Sequence, residues 1–87
     1  MMEMHFMDGA IEDLTHWMRR DPKICKKIGE LLTDIQRNGH EGKGKPEPLK
    51  YGLQGWWSRR ITDEHRLVYR IEDGVLYVSQ CRFHYGD

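Results

Sequence analysis

The sequence predicts an α+β fold: a short N-terminal strand, then a two-helix antiparallel hairpin, packed on an antiparallel β-sheet. Three observations carry this. Apolar residues recur at three- and four-residue steps over two stretches between residues 8 and 38. Residues 56–82 change to short runs rich in β-branched and aromatic side chains. The dipeptides Asn38-Gly39 and Asp73-Gly74 mark the end of the helical part and the last turn of the sheet. At 87 residues the chain is long enough for one core and too short for two, so residues 1–87 are read as a single domain.

Residues 3–7 alternate weakly between polar and apolar, which suits a short strand. Asp8 is the expected cap of the first helix, whose apolar stripe runs through Ile11, Leu14 and Met18 with Ala10 and Trp17 beside it. Asp21-Pro22 starts a second helix, because Asp caps and Pro is pre-organised for a first turn; Ile24, Ile28, Leu31, Leu32 and Ile35 share one face. With so short a join the two helices form a hairpin. Residues 39–55 hold too many glycines and prolines for a regular element and read as a long loop, the kind of segment that often carries function. Within it Glu47 stands between Pro46 and Pro48, which restrict the backbone on both sides.

Strands are expected over residues 56–62, 66–72 and 75–82, with turns at Asp63-Glu64 and Asp73-Gly74. A regular ladder about the second turn sets Ile71 against Leu76, Tyr69 against Val78 and Leu67 against Gln80 on the face that covers the helices. On the other face Arg70 meets Tyr77, Val68 meets Ser79 and Arg66 meets Cys81, so Arg66 emerges on a polar surface. By the same parity His84 falls on the wrong face, and it joins Arg66 only if the chain leaves strand geometry after Cys81. Arg59 and Arg60 point to opposite faces, so one of them at most belongs with Arg66. Trp56 and Trp57 split in the same way.

The chain carries 14 Lys and Arg against 14 Asp and Glu. Its charge is nonetheless uneven: residues 1–40 hold six basic and seven acidic groups, residues 41–70 seven and four, and residues 71–87 one and three. The middle is electropositive and aromatic, as an RNA-binding surface needs to be, with cations for phosphate and flat side chains for bases. Two cysteines make no disulfide framework, and no signal-peptide core or long apolar run is present, which points to a reducing cytoplasmic setting away from membranes.

Glu47 is the odd member of the basic stretch. A carboxylate there weakens attraction for phosphate, so it serves either as an ion-pair partner for Lys45 or Lys50 or as a proton acceptor. RNA is cut without metal when its 2′-hydroxyl attacks the adjacent phosphorus, given a base for that proton, an acid for the leaving 5′-oxygen and cations for the phosphoryl oxygens. Glu47, His84 and the group Lys50, Arg60 and Arg66 supply those parts, and Tyr85 can stack on a base or position a phosphate. Taken singly, each also has an ordinary reading as a surface or packing residue. His65 reads as a turn or packing residue, and His5, His16 and His40 have no assigned role. Cys81 and His84 have C-x-x-H spacing without a second ligand pair, so no metal or cofactor is assigned.

The runs EGKGKPEPLK at 41–50, WSRRITDEHRLVY at 57–69 and CRFHY at 81–85 closely resemble the YoeB branch of the RelE/ParE toxin superfamily. The resemblance covers essentially the whole chain and implies a RelE/YoeB-like, microbial-ribonuclease-like fold. It also implies the toxin of a type II toxin-antitoxin system, an mRNA interferase that cuts mRNA in the ribosomal A site and so inhibits translation. Carried over by position, Glu47 is the general base, His84 the general acid, and Arg60 and Arg66 the stabilisers of the phosphoryl transition state. Lys50, Arg60 and Tyr85 then bind and orient substrate. The aromatic before the closing histidine is Phe83 where the branch usually has tyrosine. Implied partners are a YefM-like antitoxin, the ribosome with its mRNA, and a second copy in a homodimer. Two other classes are weighed beside this one: a non-catalytic ParE-like toxin that binds a protein such as DNA gyrase, and a plain RNA-binding domain. Neither needs a matched acid and base.

Overall fold

A computed structural model describes residues 1–83 of the chain. The alternating N-terminal stretch forms β1 (Glu3–Phe6), followed by α1 (Asp8–Arg20) and α2 (Pro22–Asn38). A two-residue strand, β2 (Glu47–Pro48), interrupts the loop and precedes β3 (Trp57–Arg60), β4 (Arg66–Glu72) and β5 (Val75–Gln80). The sheet order is β1-β5-β4-β3-β2. β2 to β5 pair antiparallel, whereas β1 lies parallel to β5, so the sheet is mixed rather than antiparallel throughout. A first strand that returns to the sheet after two helices can run in either direction, which alternation alone does not choose.

Asp21 behaves as expected, accepting the Lys23 N–H at 3.2 Å, with Pro22 in the first turn. Gly39 closes α2 at φ 64°, donating its N–H to the Ile35 carbonyl. Asp8 does not cap α1. Met7 holds the cap position with no side-chain bond, and Asp8 lies in the first turn, where its charge complements the helix dipole. The stripe of α1 is also rotated from the expected one. Ala10 and Trp17 are buried, while Ile11 and Met18 are exposed. The Trp17 indole donates to the Cys81 carbonyl at 2.8 Å, and this buried bond fixes which way the helix faces.

Ile28, Leu31 and Ile35 of α2 join Ala10 and Trp17 against Leu67, Tyr69, Leu76 and Val78 on one side of the sheet. Each large apolar side chain buried there contributes roughly 1.5–3 kcal/mol. Asp73 and Gly74 both take positive φ, 50° and 77°, the left-handed pair that a two-residue hairpin requires. The register runs as expected from Glu72 and Val75 to Tyr69 and Val78, then slips: Val68 faces Gln80, and Ser79 is an extra residue on β5. Three expected pairs therefore fail. Leu67 does not face Gln80, Val68 does not face Ser79, and Cys81 does not lie opposite Arg66 but is buried in the helix-side core. None of the described helices is long and apolar enough to cross a membrane.

Candidate functional site

The face of the sheet away from the helices is built by register. Glu47 faces Ser58, Ser58 faces Val68, and Arg60 faces Arg66, so these five side chains share one side. Pairing with β3 turns the proline-flanked carboxylate from a loop residue into an edge-strand residue. Across this face Arg66 Nη1 donates to Glu47 Oε1 at 3.3 Å. The Arg66 side chain is 12% exposed and that of Glu47 48%. The arginine is thus set into the surface, whereas the carboxylate is half-exposed. Among the described residues the ion pair of Glu47 is with Arg66, not with Lys45 or Lys50.

Arg60 lies beside Arg66 and makes a long contact to Asp63, 3.9 Å, with much of both side chains in solvent. Such a pair contributes little and does not hold the guanidinium in place. The buried Nε–H groups of Arg60 and Arg66 have no acceptor among the described residues. A buried charged donor without a partner is costly, and an anion arriving on this face would satisfy it. Lys50 is exposed beyond β2 and forms no ion pair among the described residues. His84 and Tyr85 lie outside the described residues. The structure therefore brings Glu47, Arg60 and Arg66 to one face and leaves Lys50 at its margin.

Arg59, one residue from Arg60, points the other way and is fully buried. Its five N–H donors all find acceptors: the Tyr69 hydroxyl, the Asp34 carboxylate, and the carbonyls of Lys43, Gly39 and Glu41. It ties the start of the loop to α2 and β4. Asp34 also accepts the Lys43 N–H at 2.9 Å. The Arg59 hydrogen bond, helped by that of Lys43, holds the Asp34 carboxyl below its usual range. Burial raises the Tyr69 phenol against the opposing effect of Arg59. His40 stacks flat on Trp57, 4.0 Å between centroids, and burial lowers its imidazole, with Arg59 adding to the effect. Trp57 accordingly faces the core, and Trp56 lies on the other side with the Arg70 guanidinium 5.9 Å over its ring.

Arg59 escapes a reading that treats sheet arginines as surface charges. Its signal is parity, since a regular β3 with Arg60 outside puts Arg59 inside, and a buried arginine needs a carboxylate such as Asp34. His65 also does more than fill a turn: its Nδ1 accepts the Phe83 N–H at 2.8 Å. Cys81 lies in the helix-side core. Burial, reinforced by nearby Asp13, pushes its thiol up to about 12.

Residues 6–85 match the YoeB-like toxins of bacterial type II toxin-antitoxin systems. Toxin YoeB of Escherichia coli K12 is 50% identical over 84 residues, which span 97% of this chain and 100% of that one. Toxin YoeB of Streptomyces coelicolor is 49% identical over the same shares. Among solved structures, a YoeB/ParE toxin from Agrobacterium tumefaciens superposes with a TM-score of 0.92 at 44% identity, covering 97% and 100% of the two chains. A YoeB dimer from Staphylococcus aureus gives 0.91 at 47%, covering 97% and 98%. A heterotetrameric YoeB-YefM complex from the same organism gives 0.90 at 46%, covering 98% and 99%. A full-length match at this identity, on the same fold, leaves one conclusion: the chain belongs to the YoeB-like toxins of bacterial type II toxin-antitoxin systems.

Proposed function

We propose that this toxin is a ribosome-dependent mRNA endoribonuclease that works in the cytoplasm, cutting mRNA in the A site by acid-base chemistry. The observation that carries the reading is the juxtaposition of Glu47 and Arg66 on the open face of the sheet. In the proposed reaction Glu47 takes the proton of the 2′-hydroxyl, the 2′-oxygen bonds to phosphorus, and the P–O5′ bond breaks. His84 gives its proton to O5′. Arg66 meets the charge that builds on the phosphoryl oxygens, where a preorganised donor is worth most. The Nε–H groups of Arg60 and Arg66, which have no acceptor among the described residues, support phosphate binding on this face. Lys50, Arg60 and Tyr85 complete the substrate contacts. The first products are a 2′,3′-cyclic phosphate and a 5′-hydroxyl.

The solved YoeB dimer and YoeB-YefM complex support two partners for this chain, a second copy and a YefM-like antitoxin. The function is tested by incubating one defined mRNA with the toxin, freed of antitoxin, with and without translating ribosomes, and mapping the cut ends. Cuts within the A-site codon that need ribosomes are the expected result. No cut in either condition, with the protein folded, contradicts it and makes DNA gyrase the next target to test.

A further inference from the structure

β5 ends at Gln80, and the next three residues are held largely by side chains instead of a strand neighbour. The Cys81 N–H donates to Asp13 Oδ2 at 3.0 Å, and its carbonyl accepts from the Trp17 indole. Both partners come from α1. Phe83 is gripped at each end of its own backbone: its N–H donates to His65 Nδ1 at 2.8 Å, and its carbonyl accepts the Arg66 N–H at 3.1 Å. Phe83 also sits at φ 60°, a region that a bulky residue occupies only where its surroundings determine it.

His65 is itself locked. Its ring packs edge-on against Trp17 at 4.8 Å and lies 5.6 Å from the Phe83 ring. Because a backbone N–H can only donate, this bond uses Nδ1 as the acceptor. Packing alone makes no such demand, since a phenyl ring would fill the same edge contact. Arg66 joins the two halves of the site, with its backbone on Phe83 and its side chain on Glu47.

Resting on the function proposed above, we infer that His65 is a positioning residue for the acid step: by fixing Phe83 it sets the placement of the next residue, the acid His84. An acid must lie within hydrogen-bond reach of the oxygen it protonates, and a misplacement of about 1 Å lowers the rate on the order of 100-fold.

The test is single-turnover cleavage of ribosome-bound mRNA carrying either the ordinary link or a bridging 5′-sulfur at the cut. With sulfur the P–S bond breaks and the thiolate leaves without a proton, so the acid step drops out. His65→Phe keeps the ring and removes the acceptor, whereas His65→Asn places an oxygen where Nδ1 was. His65→Phe is expected to slow the ordinary mRNA roughly 10- to 100-fold. It should leave the sulfur substrate at the wild-type rate, as His84→Ala does, and His65→Asn should recover rate on the ordinary link. Equal slowing of His65→Phe on both substrates overturns the inference in favour of a purely structural role. So does a wild-type rate for His65→Phe beside a slow His84→Ala, which leaves the proposed chemistry standing. A wild-type rate for His84→Ala overturns the acid assignment and the inference together.

Discussion

The Arg66 guanidinium lies 3.3 Å from the Glu47 carboxylate, reaching from β4 over β3 to the edge strand β2. Alternate strands are about 9.6 Å apart, so the contact needs a long side chain and a low floor beneath it. Ser58, fully buried between the two strands, provides that floor. The pair sets a carboxylate and a guanidinium side by side on the face of the sheet away from the helices.

Glu47→Gln keeps the size and place of the side chain and removes its capacity to take a proton. Cleavage should fall roughly 10²- to 10⁴-fold. Stability should change by less than about 1 kcal/mol, because half of the pair is in water. Parallel cleavage and thermal unfolding curves check both statements; a large loss of stability would make Glu47 a structural residue.

Arg66→Ala should raise the barrier of the chemical step by about 2.7–4 kcal/mol, the effect of removing one preorganised donor. Arg66→Lys should recover little, since an ammonium lacks the planar fork. Single-turnover rates at saturating ribosome complex are the measurement. A change confined to the half-saturating concentration would reassign Arg66 to binding.

Arg59 and Asp34 should govern acid stability. The folded carboxyl of Asp34 titrates below its ordinary value of 3.8, so the pair stabilises the protein above that pH. As pH falls below 3.8, the unfolded chain takes up a proton that the folded chain still refuses, and this contribution is lost. Urea unfolding between pH 7 and pH 2.5 should show a component that Asp34→Asn abolishes. Arg59→Ala should destabilise by about 3 to 5 kcal/mol near neutrality, because it strands a mostly buried carboxylate.

The two thiols should behave differently. Cys81 is buried with its thiol pushed up to about 12, and Cys25 is partly exposed. A disulfide reagent at pH 8 should titrate one thiol in the folded toxin and two after denaturation, since thiolate and access are both required. Rapid reaction of both in the native state would contradict the packing of the Cys81 segment.

The helices, the hairpin turn and the opposite orientations of Arg59 and Arg60 were legible because each follows from local chemistry: Pro22 after a capping Asp21, left-handed Asp73-Gly74, and alternation along β3. The basic, aromatic middle with its misfit carboxylate likewise drew attention to Glu47. Alternation fails where one extra residue enters. Ser79 has no composition that announces a bulge, yet it sends Cys81 into the core and reverses the parity of everything paired after it. His84, whose face was expected to depend on a departure after Cys81, lies outside the described residues. The rotation of α1 was hidden for another reason, because it depends on a bond between Trp17 and a carbonyl 64 positions away.

The most direct test of the central claim is the chemistry of the cut ends left by wild type and Glu47→Gln on an A-site mRNA. A 2′,3′-cyclic phosphate opposite a 5′-hydroxyl, formed by wild type and lost in the variant, is the predicted result. A 3′-hydroxyl opposite a 5′-phosphate, or a variant as fast as wild type, would contradict it, because attack would then come from water or proceed without Glu47.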